Sequence, residues 1–320
     1  MRVDPERLDG LIQELSGLTT EQTSPDRGDL DLLPTTELVR LMNAQDQRVA
    51  SAVLDSASAI AEAVDEITAR FRRGGRLIYM GAGTAGRIGV LDASECPPTF
   101  GTDPSMVVGL IAGGETAIRS AVENAEDDDL AGAADLRAIG VTADDAVVGI
   151  SASGRTPYVL GGLAAAHDAG ALTVAISSNS PSAIGAAADI AIDVVVGPEF
   201  LSGSTRLKAG TAQKLVVNML TTLSMIRLGK SYQGVMVDLL ATNEKLRARA
   251  VRTVTQLTGA TASEAVSALE VAGGSVKLAL LLVITGTDAE SGAAALRSAN
   301  GVLRDAIAIC REQTAGDAAV

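Results

Sequence analysis

Cysteine is nearly missing from this 320-residue chain, with Cys96 and Cys310 its only two. A pair so distant in sequence indicates neither a disulfide framework nor a metal cluster of recognisable spacing, and it fits a reducing compartment. Histidine is scarcer still. The single His167 follows an apolar helical stretch beside Asp168 and Gly170, where a solvated or capping role is the default, which argues against Ser–His and Cys–His catalysis. Aromatics make up 2% of residues against 47% hydrophobic, so the core must be assembled from Ala, Val, Leu and Ile, in helices lying close together against a sheet. Positive charge is also short. The 26 Lys and Arg face 39 Asp and Glu, for a formal charge of −13, and no basic stripe is interleaved with aromatics, which argues against a nucleic-acid partner. An anionic small molecule is not excluded, because backbone amides and a few local cations bind one against the global field. No apolar run free of charge or frequent Gly approaches the ~20 residues of a membrane span, and MRVDPERLDGLIQELSG lacks the apolar stretch of a signal peptide. The expectation is a cytoplasmic protein without a membrane partner.

Residues 19–35 are polar and carry two prolines, which predicts an extended lead-in rather than a packed element. Ala-rich periodicity from Thr36 to Arg72 predicts two helices ending at Gly74-Gly75. Short apolar runs then recur at 76–80, 106–111, 146–150, 172–176 and 190–196, most of them separated by helical segments. Continuous apolar strands alternating with helices indicate a doubly wound, mainly parallel α/β sheet covered on both faces. The expected organisation is a lead-in and helix over 1–44, the α/β domain over 45–240, a small helical subdomain over 241–312 and a flexible tail over 313–320. Within the subdomain, helices should break at Gly259, Gly273-Gly274, Gly286 and Gly301, and Thr261 to Glu264 resembles a capping box.

Three strand ends carry turns suited to an anion. After RLIYM comes Gly81-Ala82-Gly83-Thr84-Ala85-Gly86-Arg87, whose glycines let backbone amides approach a phosphate at a helix start. It also matches G-x-G-x-x-G, but the stretch CPPTFGTDPSM is a poor second strand for a dinucleotide fold. After VVGI comes Ser151-Ala152-Ser153-Gly154-Arg155-Thr156-Pro157. Hydroxyls from Ser151, Ser153 and Thr156 converge with the Gly154 amide where a helix begins, a fit for a phosphate monoester, against the alternative of an ordinary Ser/Thr cap. Ser177 to Ser180 ends a third strand near the same edge. Farther on, Ser204, Thr205, Arg206 and Lys208 precede another helix, with Glu199 just upstream. The two cations either neutralise an acidic substrate group or form a salt-bridged helix start with Glu199, and both stay open.

With one histidine and no metal-ligand spacing, acid–base chemistry falls to carboxylates. Glu95, flanked by Cys96 and the Pro97-Pro98 break, is expected to be partly desolvated and so to act as an acid near neutrality. Glu123 and Glu126 read as part of a helix rich in solvated acids, and Glu115 lies in a loop.

The blocks LIYMGAGTAGRIGVLDASECPPTFG, VVGISASGRTPYV, GPEFLSGSTRLKAGTAQKLVVNML and DLLATNEKLRAR resemble the N-acetylmuramic acid 6-phosphate etherases. The resemblance runs over nearly the whole chain, including TEQTSPDRGDLDLLPTTELVRLMNAQD, and GPEFLSGSTRLKAGTAQK resembles a signature shared with glucokinase regulatory proteins. It implies the sugar isomerase (SIS) fold, a homodimer with sites near its interface, no cofactor, and cleavage of the D-lactyl ether of an amino-sugar phosphate during cell-wall recycling. The implied catalytic carboxylates are Glu95, which protonates departing lactate, and Glu126. Ser151, Ser153 and Thr156 match the phosphate loop, and Ser204, Thr205, Arg206 and Lys208 the signature. Ala85 replaces a common Ser, and Thr205-Arg206-Leu207 a common Ser-Arg-Met. The alternatives are a sugar-phosphate isomerase and a non-catalytic sugar-phosphate sensor, the latter built from two such domains in a longer chain.

Overall fold

The structure, a computed structural model, describes residues 15–24, 29–238 and 244–317. After a 3-10 turn at Leu30–Leu32 come three α-helices, α1 (Thr35–Asp46), α2 (Val49–Asp55) and α3 (Ala57–Arg72). The third is one more than the sequence predicts. It arises because the chain breaks again at Ser56, whose backbone leaves the helical region (φ −96°, ψ 11°) and whose hydroxyl donates to the Asp193 carbonyl (2.7 Å), a contact between residues far apart in sequence.

Strands and helices then alternate: β1 (Leu77–Gly81), α4 (Gly83–Phe100), β2 (Val107–Ile111), α5 (Gly114–Arg119), α6 (Asp129–Ala138), β3 (Ala146–Ser151), α7 (Pro157–Asp168), β4 (Leu172–Ser177), α8 (Ala183–Ala186), β5 (Ile190–Asp193) and α9 (Lys208–Arg227). All neighbouring strands are parallel, in the order β2-β1-β3-β4-β5. Every residue of β1, β3 and β4 is buried, because helices cover both faces. Ile78, Met80, Val147 and Ala175 pack with Leu136 of α6 and with Tyr158 and Leu163 of α7. From the opposite face, the Tyr79 hydroxyl donates to Asp92 of α4 (2.9 Å) and to the Val217 carbonyl of α9 (3.2 Å). This double cover is why the strands read as unbroken apolar runs. The scarcity of large side chains also has its expected result. A Cβ at Gly132 would collide with the Tyr158 carbonyl and one at Gly161 with the Asp129 carbonyl, so α6 and α7 meet backbone to backbone.

The chain divides into two compact units, 1–94 with 104–221, and 95–103 with 222–320. The second is wider than the 241–312 expected of a helical subdomain, since it takes in the last turns of α4 and α9 and a hairpin of β6 (Ser231–Tyr232) and β7 (Val235–Met236). Its remaining helices are α10 (Glu244–Thr258), α11 (Ala262–Val271), α12 (Val276–Thr285), α13 (Ala289–Ser298) and α14 (Leu303–Asp317). They pack around Val254, Ala265, Leu280, Leu281, Leu303 and Ala306. The breaks fall at the glycines the sequence singles out, and Thr261 and Glu264 close the capping box on α11. Where the sequence leads one to expect a flexible tail over 313–320, α14 continues to Asp317, and 318–320 lie outside the described residues. So do 1–14 and 25–28 of the lead-in. Among the described residues no single helix is long and apolar enough to cross a membrane.

Candidate functional site

From β1 the chain moves outward to β2 and then returns to the other side of β1 for β3. An open parallel sheet has its crevice at such a reversal, outside the carboxyl ends of the strands. A cavity of about 280 Å³ lies there, lined by Gly83 and Thr84 after β1, by Ser151, Ser153 and Thr156 after β3, and by Glu126.

The glycines of the first turn serve the close passage of α4 over β1. A Cβ on Gly86 would stand 2.6 Å from the Gly81 carbonyl oxygen and 2.6 Å from Ile111. Nothing larger fits there, and the tight turn leaves Thr84 facing the cavity.

In the second turn, Ser151 Oγ lies 2.7 Å from Thr156 Oγ1 and 3.3 Å from Ser153 Oγ, and accepts from the Gly154 amide (3.1 Å). Gly154 has φ of 73°, and a Cβ on it would come within 2.5 Å of Ser177 Oγ. Thr156 occupies the N-cap of α7 yet makes no side-chain capping bond. The ordinary-cap alternative therefore fails, and three hydroxyls and a helix N-terminus face one point, which is what a phosphate dianion requires from neutral donors. The only charged side chains lining this cavity among the described residues are Glu21 and Glu126.

The third turn serves the second rather than the cavity. Asn179 Nδ2 donates to the carbonyls of Ala152 (3.0 Å) and Ser153 (3.3 Å) and to Thr20 Oγ1 (3.2 Å), while its Oδ1 accepts from the Thr19 amide (2.7 Å). The lead-in is thus a packed element, contrary to expectation: Thr20 is buried, and Glu21 lines the cavity beside Gly203. Proline and polarity conceal this, because the segment is held by hydrogen bonds rather than by apolar burial.

At the start of α9, Glu199 is fully buried and accepts from the amides of Lys208 (3.0 Å) and Ala209 (2.9 Å). Lys208, also buried, donates from Nζ to the carbonyls of Val196 (2.9 Å) and Pro198 (2.7 Å). Burial pushes its ammonium below the ordinary lysine range, against the pull of Glu199. Of the two roles left open by the sequence, Lys208 takes the structural one, a correction to its place among phosphate ligands: its bonds hold the loop. Thr205 and Gly203 line the cavity, Ser204 is half-buried and Arg206 is exposed.

The carboxylates also need correction. Glu123 and Glu126 do not lie on a helix: α5 stops at Arg119, and Glu126 sits in a 3-10 turn, Ala125–Asp127, after left-handed Asn124. That turn brings Glu126 to cavities of about 200, 280 and 310 Å³, all of which it lines. Glu115 is exposed in the first turn of α5. Glu95 is exposed rather than desolvated, and it belongs to the second unit. Helix α4 does not break at Pro97-Pro98, because the Gly101 amide bonds back to the Pro97 carbonyl (2.9 Å) and the helix stops only at Phe100. The desolvated carboxylate of α4 is Asp92, which the sequence does not mark. Burial pushes it above the ordinary range, against hydrogen bonds from Tyr79, Asn218 and Thr221 that tie β1, α4 and α9 together. Two polar side chains of the cavity are missed by sequence reasoning, Glu21 and Gln213. Both stand inside the family-like blocks, but nothing in their spacing separates them from surface polar residues.

Residues 59–167 match the glucokinase regulatory protein N-terminal SIS domain, and 124–223 match the SIS domain. The N-acetylmuramic acid 6-phosphate etherase of Rhizobium rhizogenes is 56% identical over 297 residues, covering 93% of this chain and 97% of its own. That of Vibrio atlanticus is 57% identical over 299 residues, covering 93% and 98%. Among solved structures, a phosphoheptose isomerase from Francisella tularensis aligns with a TM-score of 0.48 and 21% identity over 61% of this chain and 100% of its own.

Proposed function

Because the chain belongs to the N-acetylmuramic acid 6-phosphate etherases, we propose that it cleaves the D-lactyl ether of N-acetylmuramic acid 6-phosphate, releasing N-acetylglucosamine 6-phosphate and D-lactate. One observation carries this beyond the family: a seat of neutral donors suited to a phosphate and a carboxylate, Glu126, lining the same cavity.

The 6-phosphate sits against Ser151, Ser153 and Thr156, in a turn that the Gly154 amide holds by its bond to Ser151 Oγ, with Gly83, Thr84 and Thr205 on the adjoining wall, and Ser204 and Arg206 beside it. Lys208 acts through the loop it holds. Opening of the sugar to its aldehyde makes the C2 proton acidic, since the electron pair left behind delocalises onto the carbonyl oxygen. Glu126 takes that proton. The pair then forms the C2–C3 double bond as the C3–O bond breaks, and Glu95 protonates departing lactate. Water adds its oxygen at C3, and a proton returns to C2. Overall one water is consumed, and neither a cofactor nor a redox step enters the balance.

The working form is a homodimer. Met219, Leu223 and Ile226 are 37%, 40% and 47% exposed along α9, and their i, i+4, i+7 spacing puts three apolar side chains on one helical stripe for a second copy to cover. Its setting is the cytoplasm, in recycling or catabolism of cell-wall amino sugars.

The decisive measurement is D-lactate released from N-acetylmuramic acid 6-phosphate in water enriched in ¹⁸O. Wild type should release lactate only from the phosphorylated sugar and place the label on C3 of the product. Glu95→Ala and Glu126→Ala should each lose about 10²–10⁴ in turnover while remaining folded, as both are exposed. Sugar-phosphate binding without lactate release would instead favour a sensor.

A further inference from the structure

Gln213 lies on α9 and lines the 280 Å³ cavity together with Thr84, Ser151 and Thr156. It is only 1% exposed, and its Nε2 has no hydrogen-bond partner. A buried donor left unmet costs about 1–3 kcal/mol, and native interiors rarely tolerate one without a reason. Farther along the same helix, Asn218 and Thr221 spend their polar atoms on Asp92, so packing of α9 against α4 does not by itself leave donors stranded. The terminal torsion of a glutamine is broad, and a modest rotation turns the amide between cavity and wall.

We propose that Gln213 is a substrate-binding residue, with Nε2 donating a hydrogen bond to an oxygen of the sugar phosphate held in this cavity. This rests on the functional reading above. The group is a neutral donor, suited to a hydroxyl, an acetamido carbonyl or a phosphate oxygen, and unlike an Arg or Lys it adds no charge next to Glu21 and Glu126. The unmet donor is then a property of the free protein alone, and ligand binding satisfies it.

The test is Gln213→Met, which keeps length and shape and removes the donor. Because an unmet donor is lost rather than a bond, the free variant should melt at or above the wild-type temperature. Its affinity for N-acetylglucosamine 6-phosphate by calorimetry should fall about 5- to 30-fold, and KM for the etherase substrate should rise with kcat little changed. Gln213→Glu, which places an acceptor there, should bind more weakly still. Glucose 6-phosphate, glucosamine 6-phosphate and inorganic phosphate as ligands identify the oxygen contacted: the difference between wild type and the Met variant persists only for those that carry it. Unchanged affinity in the Met variant, or a free variant that melts several degrees lower, overturns the proposal and assigns Gln213 to the fold. If wild type releases D-lactate while the Met variant is unaltered, only Gln213 is misassigned. If wild type neither binds the sugar phosphate nor releases lactate, the functional reading falls and this proposal falls with it.

Discussion

Replacing Glu199 by alanine should damage the fold more than most single changes at the site. The side chain is fully buried, and its two oxygens accept from the amides of Lys208 and Ala209 at the start of α9. Alanine strands both amides, at about 1–3 kcal/mol each. It also removes a negative charge from a helix N-terminus, worth about 0.3–1 kcal/mol, and takes the counter-charge from buried Lys208. The sum is about 2–7 kcal/mol. For a unit of this size each kcal/mol moves the midpoint by about 2–4 °C, so the melting temperature should drop by roughly 5–28 °C. Glu199→Gln keeps one acceptor and turns a donor toward the other amide, and should lose about 1–3 kcal/mol. Thermal melts followed by far-ultraviolet circular dichroism, without and with sugar phosphate, read both variants. Because Thr205 and Gly203 line the cavity on the loop between these residues, added ligand should also protect the Ala variant less. A Glu199→Ala midpoint within about 0.5 kcal/mol of wild type would show that the two amide bonds do not hold α9.

Two further changes probe the frame of the site. Gly86→Ala forces a Cβ to 2.6 Å from the Gly81 carbonyl oxygen, so α4 must lift from β1, and urea unfolding should show a loss of at least about 2 kcal/mol together with loss of sugar-phosphate binding. Asp145 accepts from Arg76 Nη2 (2.8 Å) and from the amides of Arg76 (2.8 Å) and Thr142 (2.8 Å). Burial alone would raise its carboxyl, but these bonds outweigh it and the net shift is downward. Folding therefore favours the ionised form, and the stability it contributes is present above the unfolded value near about pH 4 and is lost as pH falls through the lower folded value. Asp145→Asn should lose about 2–4 kcal/mol at pH 7 yet show a flatter decline below pH 4 in urea midpoints; an equally steep decline would rule out Asp145 as a source of acid sensitivity.

The three central strands were legible because each is buried on both faces and so leaves an unbroken apolar run, and the edge strands β2 and β5, though partly exposed, stay apolar enough to continue the alternation with helices. The helical breaks near the carboxyl end were equally plain, since Gly259, Gly286 and Gly301 adopt a backbone that other residues avoid. That the turn after β3 is more than a helix cap could be read from chemistry alone, because a cap needs one hydroxyl and this turn brings three together. What stayed hidden depends on contacts far apart in sequence. Thr19 and Thr20 look like solvated polar residues until Asn179 meets them, and Lys208 looks like a ligand group until the carbonyls of Val196 and Pro198 occupy it. Glu126 was masked in another way: a run of acids suggests a solvated helix, whereas the chain turns there through left-handed Asn124.

The bond from the Thr19 amide to Asn179 joins residues 160 positions apart, which bears on how the chain is made. On a ribosome adding about 5–20 residues per second, Asn179 follows Thr19 by roughly 8–32 s. During that interval Thr19 lacks this partner, and the polar sequence around it, Thr19-Thr20-Glu21-Gln22, suits a wait in water without aggregation. The wall that carries Glu21 is consequently among the last parts of the cavity to form, although it is among the first to be synthesised.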